Sequence, residues 1–384
     1  MISNCAQQIS PFIVMEVLER AQQMERQGEH IIHLEVGEPD FDTPAKIKAA
    51  ALAALERGET HYTHSLGIRP LREAIASYYN HQYQITVQPE QVIVTSGTSP
   101  GLLLALSALL NPGDEVICAN PSYACYKNFI AYLNAKVTCV PVYEDDGFQY
   151  RPEAIRKKMS SKTKAIMINS PSNPTGNLLS AEVMEEIASL GLMVVSDEIY
   201  HGLVYGDCAH SILEFTSNAI VLNGFSKLFA MTGWRLGYLI VPPVLVRPIQ
   251  KLQQNFFISP NSFVQWAGVT ALSEPLPEIQ VMVTTYNERR KYLIQRLREI
   301  GFKISVEPTG AFYVFANAQG FCDNSYQFAF ELLEKAKVAV TPGIDFGSNG
   351  EGFLRFSYAN SIENIAQGLN RLAAYLQARR TKCS

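Results

Sequence analysis

One lysine stands apart from the rest. Between Glu214 and Arg235, Lys227 is the only charged side chain, set among Phe225, Leu228, Phe229 and Met231. Most lysines are solvated surface charges. An ammonium enclosed by apolar and aromatic neighbours is desolvated, which favours loss of its proton. A near-neutral amine is what Schiff-base chemistry with a carbonyl requires. Asp197 closes the apolar run Leu192-Met193-Val194-Val195-Ser196. An aspartate there can cap a following helix, or stand at the floor of a site and hold a proton on a ring nitrogen. Ser96-Gly97-Thr98 precedes a helix-period segment. Glycine permits close backbone approach there, and the free N–H groups of a helix start receive anions. Ser226 and Arg235 can supply further anion contacts. Arg355, in Gly352-Phe353-Leu354-Arg355-Phe356-Ser357, is a second isolated charge in an apolar run. It suits a structural ion pair or bidentate carboxylate recognition.

These residues must be positioned by a regular scaffold. Seven short apolar runs, at 92–95, 115–119, 136–140, 165–169, 193–196, 219–223 and 237–241, alternate for the most part with helix-period segments at 100–110, 123–133, 152–159 and 181–190. Unalternating β-branched runs separated by helices predict a parallel sheet covered on both faces. In such sheets ligands bind outside the carboxyl ends of the strands. There the chain places Ser96-Gly97-Thr98, Asn120-Pro121-Ser122-Tyr123, Ser170-Pro171-Ser172-Asn173, Asp197-Glu198-Ile199-Tyr200 and Gly224-Phe225-Ser226-Lys227.

Earlier helices are expected at 12–27, at 44–57 (with Thr43 as cap and Pro44 opening the helix) and at 69–82. A long helix is expected at 243–273. Beyond 277 the texture changes to a charged helix at 281–300, strands at 303–306, 312–315 and 353–357, and helices at 325–336 and 361–379. The expected division is an N-terminal arm and part of a small domain at 1–44, a large domain at 45–275 and a small α+β domain at 276–384.

Composition narrows the function classes. Charged residues are 18% of 384 and the net charge is −4, against about 25% charged in typical soluble chains. No basic face is implied, so nucleic acid is not an expected partner. No run approaches the roughly 18 apolar residues of a membrane span, and no secretory signal is visible. Seven cysteines without a CxxC pattern suggest reduced thiols and a cytoplasmic setting. The pairs His30/His33 and His61/His64 do not fit a metal motif, so no metal is expected. Gly97-Thr98-Ser99-Pro100-Gly101 matches G-x-S-x-G. A nucleophile elbow, however, needs the N–H of the residue after the serine, and Pro100 has none.

Six motifs in order carry a family resemblance: Gly37-Glu38-Pro39-Asp40-Phe41; His61-Tyr62-Thr63 with Gly67-Ile68-Arg69-Pro70; Asn173-Pro174-Thr175-Gly176; Ser196-Asp197-Glu198-Ile199-Tyr200; Ser226-Lys227 with Gly233-Trp234-Arg235-Leu236-Gly237; and Gly310-Ala311-Phe312-Tyr313. Together they resemble the class I/II aminotransferases, of the aspartate aminotransferase-like branch. The resemblance covers nearly the whole chain. It implies the fold type I architecture of pyridoxal 5′-phosphate (PLP) enzymes: α/β, with a large domain built on a mostly parallel seven-stranded sheet and a smaller α+β domain.

The resemblance also implies roles. Lys227 is the Schiff-base lysine and proton carrier. Asp197 pairs with the pyridine nitrogen. Asn173 and Tyr200 hydrogen-bond the ring O3′, and Tyr123 stacks on the ring. Ser96, Gly97, Thr98, Ser226 and Arg235 hold the phosphate. Tyr62 reaches the phosphate of a neighbouring subunit, so a homodimer with shared sites is expected. Arg355 grips the substrate α-carboxylate, with Gly37, Asn173 and Tyr123 beside it.

The implied reaction moves an amino group from an L-amino acid to a 2-oxo acid by a ping-pong route through pyridoxamine phosphate. The apolar segment Pro11-Phe12-Ile13-Val14-Met15 offers no cation for a second carboxylate, which favours neutral or aromatic donors. The same residues serve C–S β-lyases and cyclopropane-forming synthases, which remain alternatives at this point. A DNA-binding regulator of the same fold would need an N-terminal segment that the sequence does not show.

Overall fold

The computed structural model describes residues 2–383. Twelve strands occur in chain order: β1 (Ile32–His33), β2 (Val92–Thr95), β3 (Glu115–Asn120), β4 (Lys136–Pro141), β5 (Thr163–Asn169), β6 (Met193–Asp197), β7 (Ala219–Gly224), β8 (Gly237–Ile240), β9 (Tyr313–Asn317), β10 (Val338–Ala339), β11 (Thr341–Pro342) and β12 (Phe353–Ser357). β2 to β8 form one seven-stranded sheet in the order β2-β8-β7-β6-β5-β3-β4. The ladders joining β7, β6, β5, β3 and β4 are parallel. β8 runs antiparallel to both β2 and β7. The short connection 225–236 carries no crossover helix, so the chain can only turn back beside β7.

β2, β6, β7 and β8 are buried, and β5 nearly so. Two apolar cores flank the sheet. One gathers Ile47, Leu71, Val94, Ile168, Val221 and Phe225, the other Leu102, Leu104, Val116, Met167, Val195 and Leu239. Strands buried on both faces need no polar alternation, which is why they read as continuous apolar runs.

A second body holds the antiparallel sheet β11-β12-β9 and the parallel pair β1-β10. Its core joins Ile32 and Leu34 to Tyr286, Leu293, Phe312, Phe356 and Leu369, and it takes in Ile199, Tyr200 and Leu203 from the segment after β6. The two bodies therefore meet through the residues that follow Asp197.

Several expectations need correcting. The helix expected over 243–273 is two helices, Pro243–Phe256 and Ser262–Ser273. Pro260, which lacks an N–H, and Ile258, in the left-handed region at φ 65°, separate them. The strand expected at 303–306 is a single bridge, Lys303 to Asn317. The helix expected at 325–336 is helical at Ser325–Glu331 and continues as a wider π turn at Leu332–Ala336. Thr43 does not cap the helix Ala45–Glu56. Its Oγ1 donates to the Ala230 carbonyl (2.6 Å) and accepts from Trp234 Nε1 (3.0 Å), tying the loop after Lys227 in place. Among the described residues no helix is long and apolar enough to cross a membrane. Cys5, Cys118, Cys125, Cys139, Cys208 and Cys322 are free thiols.

Gly237 opens β8 where the loop before the helix Thr98–Leu109 crosses it. A Cβ at Gly237 would lie 2.7 Å from the Gly97 carbonyl carbon and 2.8 Å from the Thr98 nitrogen. Gly237→Ala should lower unfolding free energy by about 1–3 kcal/mol through overpacking, read by chemical denaturation. An unchanged midpoint would contradict this packing.

Candidate active site

A cavity of about 320 Å³ opens over the carboxyl ends of β5, β6 and β7. The register explains the convergence: Asn169 pairs with Asp197, so β5 and β6 end level, and Asp197 pairs with Leu222, two residues before β7 ends at Gly224. Each then releases a polar residue into one space.

Lys227 follows β7. Its Nζ donates to the Gly37 carbonyl at 2.5 Å and lies 5.8 Å from the Phe312 ring centroid. Burial pulls its pKa down to about 8; Glu38 and Asp197 oppose the shift while Arg355 and Arg235 assist it. Asp197 is the last residue of β6. Its Oδ2 accepts from the Tyr126 hydroxyl at 2.7 Å and its Oδ1 from the Ile199 N–H at 3.2 Å. Burial pushes this carboxyl up to about 6, against those hydrogen bonds and the Lys227 charge. Asn169 Nδ2 donates to the Asp197 carbonyl at 2.8 Å, and Asn169 Oδ1 accepts from the Asn173 N–H at 2.8 Å. One asparagine thus links the ends of β5 and β6.

Arg355 lies in β12 and is 2% exposed. Its Nη1 donates to Asn173 Oδ1 at 2.9 Å, and its Nη2 donates to Thr341 Oγ1 at 3.1 Å and to the Glu35 carbonyl. Its guanidinium carbon stands 4.3 Å from the Tyr313 ring centroid and 5.1 Å from that of Phe346. The buried Nε has no partner among the described residues. The neutral partners hold the fork while leaving its charge for an anion. At the other end of the cavity Arg235 has φ 55°, and its Nη1 donates to the Thr232 carbonyl at 3.0 Å. Gly97 (φ 98°) caps the helix Thr98–Leu109, and a Cβ there would fall 2.8 Å from Arg235 Nη2. The glycine lets a guanidinium reach a helix N-terminus, a pairing suited to a phosphate.

Gly37, Thr98, Tyr123, Asn173, Asp197, Tyr200, Ser226, Lys227, Arg235 and Arg355 all line the cavity. Ser96 and Gly97 sit in the turn before the helix and do not line it. Tyr62 lies outside it, 82% exposed. Sequence reasoning missed Tyr126, which opens the helix Tyr126–Tyr132 three residues after Tyr123 in the preceding loop. It also missed Asn169, Thr341 and the Glu35 carbonyl. The last two touch Arg355 only through the tertiary fold and carry no local mark.

The chain matches the family model described as aminotransferase class I and II over residues 29–372. It belongs to that family. It is 43% identical over 380 residues to a (5-formylfuran-3-yl)methyl phosphate transaminase of Methanocaldococcus jannaschii, covering 98% of this chain and 100% of that protein. It is 42% identical to an aspartate aminotransferase of Pyrococcus horikoshii, covering 95% and 94%. The structure of Thermus thermophilus aspartate aminotransferase with maleate superposes with a TM-score of 0.94 at 36% identity, covering 97% of this chain and 99% of that one. The protein is an aminotransferase of fold type I, and the class I/II family depends on PLP.

Behind Arg355, Glu35 is fully buried, and its Oε1 meets His33 Nδ1 at 2.7 Å; His33 Nε2 meets Glu25 at 3.1 Å. The Glu35 hydrogen bond, with the Glu25 contact, outweighs burial and raises the His33 pKa from 6.5 to about 9. The folded state therefore binds more protons than the unfolded one between these values, and stability should fall as pH rises from 6.5 to 9. The loss should be on the order of 2 kcal/mol. Denaturation of the wild type and of His33→Gln across this range tests it: the variant should lack that slope, and parallel profiles would refute the assignment.

Proposed function

We propose that this aminotransferase holds PLP through Lys227, with Asp197 on the ring nitrogen, Tyr200 and Asn173 at the ring oxygen and Tyr123 against the ring face. Ser96, Gly97, Thr98, Ser226 and Arg235 take the phosphate. The donor set supports this fit. An amine of lowered pKa, a buried carboxylate that Lys227 acts on without forming an ion pair, and a guanidinium beside a helix N-terminus stand around one cavity. When bound, PLP supplies the imine-forming carbon and the electron-accepting ring that loosens the amino acid Cα–H bond.

The chain's residues do the rest. Arg355 receives the α-carboxylate and orients the amino acid, so that reaction becomes effectively unimolecular. Lys227 Nζ, released from the cofactor and near neutral, takes the Cα proton and returns it on the other side of the transfer. Asp197 keeps the ring nitrogen protonated.

The substrate class follows from the distribution of charge. The cavity's charged lining residues are Glu38, Asp197, Lys227, Arg235 and Arg355. With the three cations assigned, none remains for a second carboxylate. The wall instead presents Phe12, Val14, Met15, Leu18 and Phe129. This single observation favours neutral or aromatic amino donors, with glutamate and 2-oxoglutarate as a second pair, even though several relatives are named for aspartate. Exposed Tyr62 supports a homodimer in which that phenol completes the partner's phosphate site. The reading of residues 45–275 as the cofactor-binding domain, and a cytoplasmic setting with free thiols, belong to the same proposal.

The purified protein should show a visible absorption band, which alanine or phenylalanine bleaches. Lys227→Ala should lose the band and at least about a thousandfold in turnover; retention of both would overturn the assignment. Arg355→Leu should raise the amino-acid KM by roughly a hundredfold, the loss of one charge-assisted bidentate contact. A donor panel including aspartate should favour neutral or aromatic amino acids. Strong preference for aspartate would sink the specificity reading. Tyr62→Phe should release cofactor more readily from a dimer seen by analytical ultracentrifugation, and a monomer that retains full activity would contradict the shared site.

A further inference from the structure

Tyr313 opens β9 and is 1% exposed. Its hydroxyl lies 2.9 Å from the Tyr200 hydroxyl, and the Arg355 guanidinium carbon stands 4.3 Å from its ring centroid. The same hydroxyl packs against Gly37, where a Cβ would overlap it. The Gly37 carbonyl in turn takes the Lys227 amine at 2.5 Å. One ring thus touches the oxygen assigned to the cofactor, the guanidinium assigned to the substrate, and the loop against the reactive amine.

We propose that Tyr313 is a positioning residue that couples the two anchors of the site: its hydroxyl orients Tyr200 toward the cofactor, and its ring orients Arg355 toward the substrate carboxylate. The inference rests on the roles given above to Tyr200 and Arg355. Each phenol has one hydrogen to donate, and the only hydrogen bond of either hydroxyl among the described residues is to the other. The direction of donation follows from charge. The guanidinium over the Tyr313 ring favours giving up its proton, so Tyr313 is the better donor and Tyr200 the acceptor. The Tyr200 hydrogen is then left for an acceptor in the cavity. A phenol that both accepts and donates does each more strongly. The ionisable groups facing this pair are Arg355, on the same side, and Tyr123 across the cavity. Burial raises the pKa of both phenols, so both stay neutral through the working range.

Donation by Tyr200 to the cofactor's ring oxygen withdraws charge that would otherwise hold a proton on the Schiff-base nitrogen. Weakening that donation should raise the proton affinity of the Lys227 linkage. Tyr313→Phe keeps the ring and removes only the hydroxyl. In the holoenzyme, the midpoint of the visible-band pH titration should rise by about half a unit to one unit, with the amino-donor KM within about twofold of wild type. In a Tyr200→Phe background, adding Tyr313→Phe should move the midpoint no further. Tyr313→Leu, which removes the ring, should raise the donor KM roughly five- to tenfold with a smaller change in kcat. An unmoved midpoint in Tyr313→Phe, an equal shift without the Tyr200 hydroxyl, or a wild-type KM in Tyr313→Leu would each overturn the coupling. A wild-type holoenzyme with no titrating band, or a band that survives Lys227→Ala, would overturn the cofactor assignment as well, so the two failures are distinguishable.

Discussion

The site depends on holding unlike charges in a place with little water. Asp197, Lys227 and Arg355 stand around one cavity, and each is buried or nearly so. Burial alone would neutralise the acid and the amine and would strand the guanidinium. The structure answers differently for each. Arg355 keeps its charge through the Asn173 amide, the Thr341 hydroxyl, the Glu35 carbonyl and two aromatic faces. Lys227 is allowed to approach neutrality. Asp197 accepts hydrogen bonds from a phenol and a backbone N–H alone, and the Lys227 charge does not outweigh its burial, which leaves it suited to a positive partner in the cavity.

That arrangement places demands on the scaffold. A parallel sheet in which β5 and β6 end level and β7 runs two residues further delivers Asn169, Asp197 and the approach to Lys227 to one edge. Arg355 comes from a different sheet, β12, and reaches the same cavity across the junction between the two bodies. Because the chain segment Ile199–Leu203 enters the core of the smaller body, the acid and the guanidinium are mechanically linked without touching. The free backbone groups at the start of the helix Thr98–Leu109 complete the opposite end, and Gly97 is required there because any side chain would displace Arg235.

What was legible in the letters follows from how local each feature is. Lys227 and Asp197 announce themselves because a charge inside or at the end of an apolar run is locally anomalous. The central strands of the large sheet are legible because burial on both faces writes an unbroken apolar run; the edge strand β4, partly exposed, is legible from its β-branched run alone. β1, β10 and β11 are two residues each, too short to leave a period. The break at Ile258–Pro260 was written as a proline, but the helical pattern on either side masked it. Thr341 and the Glu35 carbonyl are 14 and 320 residues from Arg355 in sequence, and their role is created only when β12 pairs with β11 and the N-terminal segment closes over it.

The residue after Asp197 shows how the position of that acid is secured. Glu198 is fully buried and accepts from Tyr79 (3.0 Å), Ser196 (3.1 Å), Ser211 (3.0 Å) and the Ile212 N–H (3.1 Å). Burial still raises its pKa to about 7. Next to it, His201 is driven down to about 4 by burial and sits between the Tyr83 hydroxyl and the Ser170 carbonyl. Two adjacent carboxyls therefore face opposite ways. Glu198 is saturated by donors and turned into the protein, while Asp197 keeps its capacity for the cavity. Glu198, just past the end of β6, still bonds β7 through its N–H to the Leu222 carbonyl at 2.8 Å, so the strand's alternation carries over and splits the two side chains. A polar cluster this well satisfied resists rearrangement, and it fixes the chain immediately beyond Asp197.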